Sequence, residues 1–332
     1  MQIKYSFIIP VFNRPQEVRE LFRSILSLEP APGFEVVLVE DGSTQTCETV
    51  VKEFEERFPI RYFQKHNTGP GDSRNYGMSR ALGDYFLILD SDVLLPPHYL
   101  AEVERELQNE PASCFGGPDA AHEDFSDLQK AINYAMTSLL TTGGIRGKEI
   151  QEGAYEPRSF NMGLTREVFE RTGGFSNIHP GEDPDLVWRI RNAGYSIRLF
   201  PGAFVYHKRR ISWKKFFDQV YKFGLVRPIL SKWHPSSRKI TYWFPSVFTI
   251  GLIIAVLLSL MGYFWLLSLY LVYFVMLLID ASFQSRSIKI GLMGVFASLI
   301  QFVGYGLGFC RSSFYIRLLK QDPRKRFPHL FF

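Results

Sequence analysis

Apolar residues in the first 90 positions occur in short continuous runs separated by segments with helical periodicity. Continuous runs predict buried strands at residues 5–11, 35–39, 60–64 and 85–89. Between them, the spacing of apolar residues predicts helices at residues 16–28, 47–58 and 71–81. Strands that are apolar on both faces and alternate with helices are typical of parallel sheets. The pattern therefore predicts an α/β domain whose mostly parallel sheet is covered by helices on both faces.

The second half of the chain is apolar without any such alternation. No charged residue occurs between Ile240 and Ile279, and residues 290–310 form another uncharged run. A bilayer core about 30 Å thick takes about 20 helical residues, so the first tract predicts two spans at about 244–261 and 263–279. For the second tract two interpretations stay open. It is either a third span whose glycines pack closely against other helices, or a re-entrant or interfacial segment.

Charge divides the chain at the same places. The formal net charge is +5, but residues 1–207 are acidic on balance, while residues 208–239 are strongly basic. An acidic globular part disfavours nucleic acid as a partner. Aromatic and basic residues at helical spacing in the basic segment predict an amphipathic helix that contacts membrane lipids. The alternative is a solvated helix packed on the globular domain.

These patterns predict a domain at residues 1–210, an interfacial region at 211–239, a membrane region at 240–310 and a basic cytoplasmic tail at 311–332. Basic flanks on both sides of the first two spans favour the cytoplasmic side of the membrane. The first eleven residues lack the features of a signal peptide. We therefore expect the globular domain on the cytoplasmic side of a cell inner (plasma) membrane.

Carboxylates follow the ends of two predicted strands. Glu40 and Asp41 follow one strand, and Asp90 and Asp92 follow another. Ligands of open α/β sheets bind beyond the carboxyl ends of the strands. Two carboxylates at i and i+2 suit Mg²⁺ or Mn²⁺, and such a metal neutralises a diphosphate leaving group. A D-x-D pair alone is a weak signal, since a solvated turn has the same sequence, but its position after a buried strand strengthens it.

Two later segments carry further candidate chemistry. The Gly-rich turn at residues 67–75 leads into a predicted helix and contains Arg74. This combination favours an anion-binding site, and the alternative is a simple capped loop. Glu182, Asp183 and Asp185 precede another helical pattern. These carboxylates are either helix caps or include a general base.

Taken in order, these segments resemble the family 2 glycosyltransferases over about residues 4–210. The resemblance implies a GT-A fold, which is Rossmann-like with a mostly parallel sheet, and inverting transfer from a nucleotide-diphosphate sugar, with UDP as the expected nucleotide. The apolar tail resembles that of membrane-attached members, with C-terminal transmembrane helices after the interfacial helix. The matching segments are residues 7–14, 39–43, 69–92, 161–163, 173–175, 181–186 and 201–207.

The resemblance also implies roles for single residues. Asp183 would be the base that deprotonates the acceptor hydroxyl, with Glu182 beside it. Residues implied to contact the donor are Pro10, Phe12, Asp41, Arg74 and Asp90, and those implied to hold Mg²⁺ or Mn²⁺ are Asp90, Asp92 and His207. For His207, a contact between domain and membrane is the alternative. We expect acceptor contacts at Arg146, Arg158 and Asp185, where the alternatives are a loop and a helix cap.

Two departures from the family pattern bear on function. The usual paired aspartates are replaced by Glu40-Asp41, which affects base recognition. Processive members carry Q-x-x-R-W, whereas this chain has Gln219 followed by Lys222 and Phe223. We therefore expect transfer of one sugar to a lipid-linked glycan acceptor, as in bacterial cell-envelope polysaccharide biosynthesis. A polyprenyl-phosphate glycosyltransferase, a processive synthase and an inactive sugar-nucleotide-binding scaffold stay open as alternatives.

Overall fold

In a computed structural model, alternating strands and helices are followed by long apolar helices. The structure describes residues 3–30, 33–120, 125–142, 155–207 and 212–332. The strands are β1 (Tyr5–Val11), β2 (Phe34–Asp41), β3 (Ile60–Lys65), β4 (Tyr85–Leu89), β5 (Val93–Leu94), β6 (Cys114–Gly116), β7 (Asp119–Ala120), β8 (Asn161–Thr165), β9 (Ile197–Leu199) and β10 (Val205–His207). The helices are α1 (Pro15–Leu26), α2 (Glu48–Phe54), α3 (Pro70–Arg80), α4 (Tyr99–Asn109), α5 (Asp127–Thr137), α6 (Leu139–Thr142), α7 (Arg166–Thr172), α8 (Glu182–Asn192), α9 (Trp213–Trp233), α10 (Phe244–Leu260), α11 (Trp265–Ser285), α12 (Ile288–Ser312) and α13 (Pro323–Arg326).

The chain divides into two compact units. The first comprises residues 1–122, 151–208 and 331–332, and the second comprises residues 123–150 and 209–330. The second unit thus resumes near the predicted boundary at residue 210, and it also takes in a segment from the middle of the predicted first domain. The four predicted regions stay predictions.

The first unit is built on a seven-stranded sheet in the order β3-β2-β1-β4-β8-β6-β9. Only β8 runs antiparallel to its neighbours, and the other pairs are parallel. The prediction of a mostly parallel α/β sheet is therefore confirmed. β1, β2 and β4 are buried almost throughout, because helices cover both of their faces.

Alternating residues of β1 pack into the two layers that enclose the sheet. Phe7 lies in a core cluster with Phe22 of α1, whereas Ile8 lies in a second cluster with Met78 of α3 and Leu186 of α8. Burying a side chain of this size stabilises the fold by about 1.5–3 kcal/mol. The second layer therefore anchors α3 and α8, the two helices that carry the predicted diphosphate and base residues.

The second unit contains three helices long and apolar enough to cross a membrane, at Ile240–Leu260, Trp265–Ser285 and Ile288–Leu318. α10 and α11 are joined between the two predicted spans, where Gly262 has a positive φ of 90°. α12 is one helix of 25 residues, longer than the predicted tract at 290–310. Its glycines therefore do not break it.

The glycines of α12 let it lie directly against α9. A Cβ added at Gly308 would come within 2.2 Å of the Tyr221 carbonyl oxygen. A Cβ at Gly224 of α9 would come within 2.2 Å of the Tyr305 carbonyl oxygen. Small residues at both positions allow this approach of the two backbones, so the glycines of this tract do pack closely against another helix. Whether the tract spans the membrane or lies at its surface stays a prediction.

The amphipathic pattern of α9 is also explained by this packing. Phe216 and Val220 on its apolar face are buried in a cluster with Ala297 of α12 and with Ile132 and Ala135 of α5. Other helices of the same unit therefore cover the apolar stripe that the sequence predicts. Whether α9 also contacts lipid stays a prediction.

Replacing Gly224 with alanine is expected to lower the stability of the second unit by about 1–3 kcal/mol, because the new methyl group would overlap a backbone carbonyl. The fall in Tm of the full chain in detergent measures this cost. Gly294→Ala is the matched control, since its nearest heavy atoms would be 3.2 Å away. Equal Tm values for the Gly224 and Gly294 variants would contradict the close approach of α9 and α12.

Candidate active site

The carboxyl ends of β1, β2 and β4 lie side by side and collect the residues predicted to contact the donor. Parallel pairing places Val11 of β1 opposite Glu40 of β2, and Asp90 follows β4 directly. Phe12, just beyond β1, is 49% exposed. Its open ring offers an apolar surface on which a flat base can stack.

Asp41 fastens the end of β2 to the loop that leads into α3. Its carboxylate accepts hydrogen bonds from the backbone N–H groups of Thr68, at 2.9 Å, and Gly69, at 3.0 Å. The Nζ atom of Lys65 lies 2.7 Å from Asp41 Oδ1. No sequence motif singled out Lys65, although its place beside Asp41 follows from the pairing of β2 with β3.

Glu40 has a structural role instead. It is buried, and its Oε2 accepts hydrogen bonds from the Cys47 N–H at 2.8 Å and from the Tyr62 hydroxyl at 2.7 Å. Successive residues of a strand point to opposite faces, so Glu40 and Asp41 differ in surroundings. Glu40, the residue that replaces the first of the family's paired aspartates, therefore stabilises the loop after β2 through its contact with Cys47.

Arg74 links three elements of the site. It is only 4% exposed, and its Nη2 lies 2.8 Å from Asp90 Oδ1 while its Nη1 lies 3.4 Å from Glu182 Oε1. Burial alone would lower the pKa of Arg74, but the nearby carboxylates of Asp90, Asp183 and Glu182 raise it above its usual value. A fully charged guanidinium therefore joins α3 to the end of β4 and the start of α8.

Asp92 has a second arginine beside it. Arg14 Nη1 lies 2.6 Å from Asp92 Oδ2, so each carboxylate of the D-x-D pair contacts a guanidinium group. Arg14 had no predicted role of its own. Its position shortly after β1 was the available signal, because the ends of β1 and β4 are adjacent in the sheet.

The carboxylate ligands at this edge fit a hard divalent cation, whose coordination the substrate would complete. Asp90 and Asp92 supply carboxylate oxygens, and Mg²⁺ or Mn²⁺ commonly fills its remaining positions with water and phosphate oxygens. No group of three His, Cys, Asp or Glu side chains poised for a metal occurs among the described residues. The backbone of His207 pairs with Val93, next to Asp92, but its side chain lies outside what the structure describes.

Asp183 is held at the first turn of α8 with one oxygen unused. Its Oδ2 accepts a hydrogen bond from the Ser159 N–H at 3.1 Å. Its Oδ1 is buried and has no hydrogen-bond partner in the described part of the chain. Glu182, beside it, contacts His179 Nδ1 at 3.0 Å in addition to Arg74. The two neighbouring carboxylates thus have very different surroundings.

These surroundings separate the pKa values of the two carboxyl groups. Burial and the negative charge of Glu182 raise the pKa of Asp183 to about 6, against the opposing charges of Arg74 and Arg158. For Glu182, burial raises the pKa, but His179 and Arg74 outweigh it and lower the pKa to about 2. Such a divergence between adjacent carboxyls is typical of sites that perform acid–base chemistry.

The structure gives a different result for each of the three residues predicted to contact the acceptor. Arg158 is close enough to Asp183 for its charge to act on that carboxyl. Arg146 lies outside the described residues. Asp185 is buried and forms an ion pair with Arg189 at 2.7 Å. Arg189 also donates hydrogen bonds to backbone carbonyls at the end of α7 and just beyond it. Asp185 therefore fastens α8 to the end of α7, and an acceptor contact there stays a prediction.

The last two residues of the sequence lie against this part of the first unit. The Phe332 N–H donates a hydrogen bond to the Asn177 carbonyl at 3.0 Å, and its ring centroid is 6.0 Å from that of His179. The same ring covers Gly69, where a Cβ would come within 2.5 Å of it. No sequence pattern pointed to this contact, because it joins residues far apart in the chain.

Comparison with known proteins supports the fold and the motif order. The family model described as glycosyl transferase family 2 matches residues 6–173. The chain is 37% identical over 180 residues to an uncharacterized glycosyltransferase of Rickettsia felis, covering 54% of this chain and 29% of that protein. It is 26% identical over 235 residues to the probable glycosyltransferase YdaM of Bacillus subtilis, covering 65% of this chain and 53% of that protein. The chain thus spans less than a third of the first relative and about half of the second.

Two solved structures have a similar fold. The mannosyltransferase PcManGT from Pyrobaculum calidifontis, in complex with GDP-Man and Mn²⁺, superposes with a TM-score of 0.59 at 16% identity, covering 91% of this chain and 88% of that one. Residues 1–349 of TarS from S. aureus, in complex with UDP-GlcNAc, give a TM-score of 0.50 at 15% identity, covering 95% of this chain and 92% of that one. The predicted GT-A fold is confirmed.

Proposed function

Because the chain belongs to glycosyltransferase family 2, we propose that it transfers one sugar from a nucleotide-diphosphate sugar to a lipid-linked glycan. The observation that carries this proposal is the carboxyl of Asp183. It has a raised pKa and a buried oxygen without a partner among the described residues. Arg74 forms an ion pair with Asp90 and lies close enough to Asp183 for the two charges to interact. A base on one side and a diphosphate site on the other are the two requirements of direct displacement.

In the proposed reaction, an acceptor hydroxyl donates its proton to Asp183 Oδ1 as the acceptor oxygen bonds to the anomeric carbon. The bond from that carbon to the diphosphate breaks at the same time, and the nucleoside diphosphate leaves with the electron pair. Attack opposite the leaving group inverts the configuration of the anomeric carbon. Burial, together with the charge of the ionised Glu182, keeps the pKa of Asp183 high enough for it to accept a proton.

Asp90 and Asp92 would hold Mg²⁺ or Mn²⁺, with His207 as the further predicted ligand. When bound, such a metal neutralises the charge that develops on the departing diphosphate. Arg74, buried beside Asp90, adds a fixed positive charge in a region of low dielectric. Arg14 holds Asp92 in place at the same edge.

The donor is proposed to be a UDP-sugar whose base lies against Pro10, Phe12 and Asp41. Similar folds were determined with UDP-GlcNAc and with GDP-Man, which supports a nucleotide-diphosphate sugar as the general class. Transfer of a single sugar is favoured over polymerisation because α9 carries Lys222 and Phe223 where processive members have arginine and tryptophan.

We propose that α10 and α11 cross the membrane as a hairpin, with the first unit on the cytoplasmic side. α12 lies along α9, whose predicted position is the membrane surface, so the interfacial interpretation of the third tract is preferred. Both basic segments then face the cytoplasmic leaflet, in accord with the positive-inside rule. Cysteine accessibility at the exposed positions Leu260 and Leu319, in spheroplasts and inverted vesicles, tests this arrangement: Leu260 should be labelled from outside and Leu319 from the cytoplasmic side.

The proposed function is tested by a screen of nucleotide sugars against the full chain in detergent with Mn²⁺. Binding of the correct donor is expected to raise the Tm, because a ligand that binds only the folded state stabilises it. Radiolabelled sugar from that donor should then appear in the lipid fraction of bacterial membranes. Binding without any transfer would favour the inactive scaffold, and labelled polymer would favour a processive synthase.

Replacing Glu182 with glutamine is expected to shift the pH dependence of turnover to lower pH. In the wild type, kcat should rise with pH through the pKa of Asp183, about 6, and fall about tenfold per pH unit below it. Removing the charge of Glu182 lowers the pKa of Asp183, so the acidic limb moves to lower pH. A limb that stays in place would show that Asp183 is not the titrating base.

A further inference from the structure

Two adjoining cavities in the second unit are surrounded by basic side chains. One has a volume of about 250 Å³ and the other about 470 Å³, and they share Ser231, Arg238 and Arg317. Lys239 lines the smaller cavity, while Lys232 and Lys320 line the larger. No Asp or Glu of the described residues lines either one. This concentration of positive charge around a concave surface favours the binding of an anionic ligand.

Ser231 provides an independent indication of a ligand. It lines both cavities, is only 1% exposed, and its Oγ has no hydrogen-bond partner in the described parts of the chain. A buried hydroxyl without a hydrogen-bond partner destabilises the folded state, and a hydrogen bond to a ligand would remove that cost. The Ser231 carbonyl accepts a hydrogen bond from Arg238 Nε at 3.1 Å, so the hydroxyl and the guanidinium group are held close together.

The cavities lie at the ends of two apolar segments. Ile240, which lines the smaller cavity, begins one candidate span, and Arg317 is the next-to-last residue of the apolar segment Ile288–Leu318. The Arg317 guanidinium lies 5.7 Å from the centre of the Trp243 ring. Tryptophan and arginine at the end of a span are typical of the depth at which lipid headgroups lie.

We propose that these cavities bind the phosphate group of an anionic membrane lipid. Guanidinium groups match phosphate oxygens with paired, charge-assisted hydrogen bonds, so Arg238 and Arg317 would hold the phosphate. Ser231 would donate a further hydrogen bond, and the lysines would add attraction. Ile240 and Trp243 would contact the glycerol and the first acyl carbons. This site is additional to the proposed sugar transfer and does not depend on it.

The experiment titrates the full chain, in neutral detergent, with short-chain phosphatidylglycerol and follows the Tm. For the wild type we expect a saturable rise. The double variant R238Q/R317Q should need about tenfold more lipid for half-saturation, because it loses two charged hydrogen-bond donors. Ser231→Ala should give a smaller shift in the same direction. The matched control K214Q/K215Q removes the same charge from the other end of α9 and should titrate like the wild type.

Parallel titrations with phosphatidylcholine and with inorganic phosphate distinguish the sources of the anion. Saturation by inorganic phosphate at the same concentration would overturn the assignment to a lipid, because the acyl chains would then add nothing. An equal rise with phosphatidylcholine, or equal losses in R238Q/R317Q and K214Q/K215Q, would reduce the effect to general attraction and overturn the site. The absence of any saturable rise in the wild type would also overturn it.

Discussion

Replacing Asp183 with asparagine is expected to reduce turnover by about 10²- to 10⁴-fold, the usual contribution of a general base. Asparagine has nearly the same shape but cannot accept the proton of the acceptor hydroxyl. The Kd for the donor, measured by Tm shift with Mn²⁺, should change little. The Tm without ligand should be equal to or above that of the wild type, because the substitution removes a buried negative charge next to Glu182.

Asp185→Asn, two residues further along α8, is the matched control. It breaks the buried ion pair with Arg189, a change that costs about 3–5 kcal/mol when one partner is left charged. We therefore expect a lower Tm but turnover near the wild-type value per folded molecule. If the Asp183 variant turns over normally, Asp183 is not the base. If the Asp185 variant folds and shows a raised KM for acceptor, Asp185 contacts the acceptor as predicted from sequence.

Replacing Asp90 with asparagine is expected to abolish Mn²⁺-dependent donor binding and to lower turnover by at least about 10³-fold, since a carboxylate that neutralises the leaving group through a metal is lost. Direct titration of Mn²⁺ by electron paramagnetic resonance gives a readout apart from activity. The variant also removes one partner of the buried Arg74, so its Tm must be measured alongside.

Asp84→Asn provides the control for this second prediction. Asp84 lies just before the first residue of β4, at the end of the strand opposite to Asp90. It is 82% exposed and pairs only loosely with Arg166 at 4.0 Å. It should bind Mn²⁺ and donor like the wild type. Chelation of the wild type with EDTA should reproduce the Asp90 phenotype, and addition of Mn²⁺ should restore activity. Full activity in the chelator would remove the metal role of Asp90 and Asp92.

Elements with a strong local pattern could be predicted from the sequence. β1, β2 and β4 follow continuous apolar runs because a strand buried on both faces needs apolar residues at every position. The uncharged tracts likewise identify α10 and α11 as helices apolar enough to cross a membrane, since a charge inside a bilayer is costly. The order of motifs around Asp90, Asp92 and Asp183 indicated a family, and the family model confirms it.

The burial and the hydrogen-bond partners of the site residues could not be predicted in this way. Glu40 and Asp41 are neighbours in sequence, yet one is buried against Tyr62 and the other holds the loop into α3. Asp183 and Asp185 look alike in sequence, but of the two only Asp183 has a buried carboxylate oxygen without a hydrogen-bond partner in the described part of the chain. Such differences depend on which partners the fold supplies.

The sequence by itself therefore determined the α/β class, the apolar helices and the family, because periodicity and motif spacing are local properties of the chain. Tertiary structure alone decided the pairing of Arg74 with Asp90 and Glu182, the raised pKa of Asp183, the contact of Phe332 with Gly69 and the basic cavities around Ser231. Arg74 and Glu182 are 108 positions apart. Burial, hydrogen bonding and Coulomb interactions over such separations arise only when packing brings the elements together.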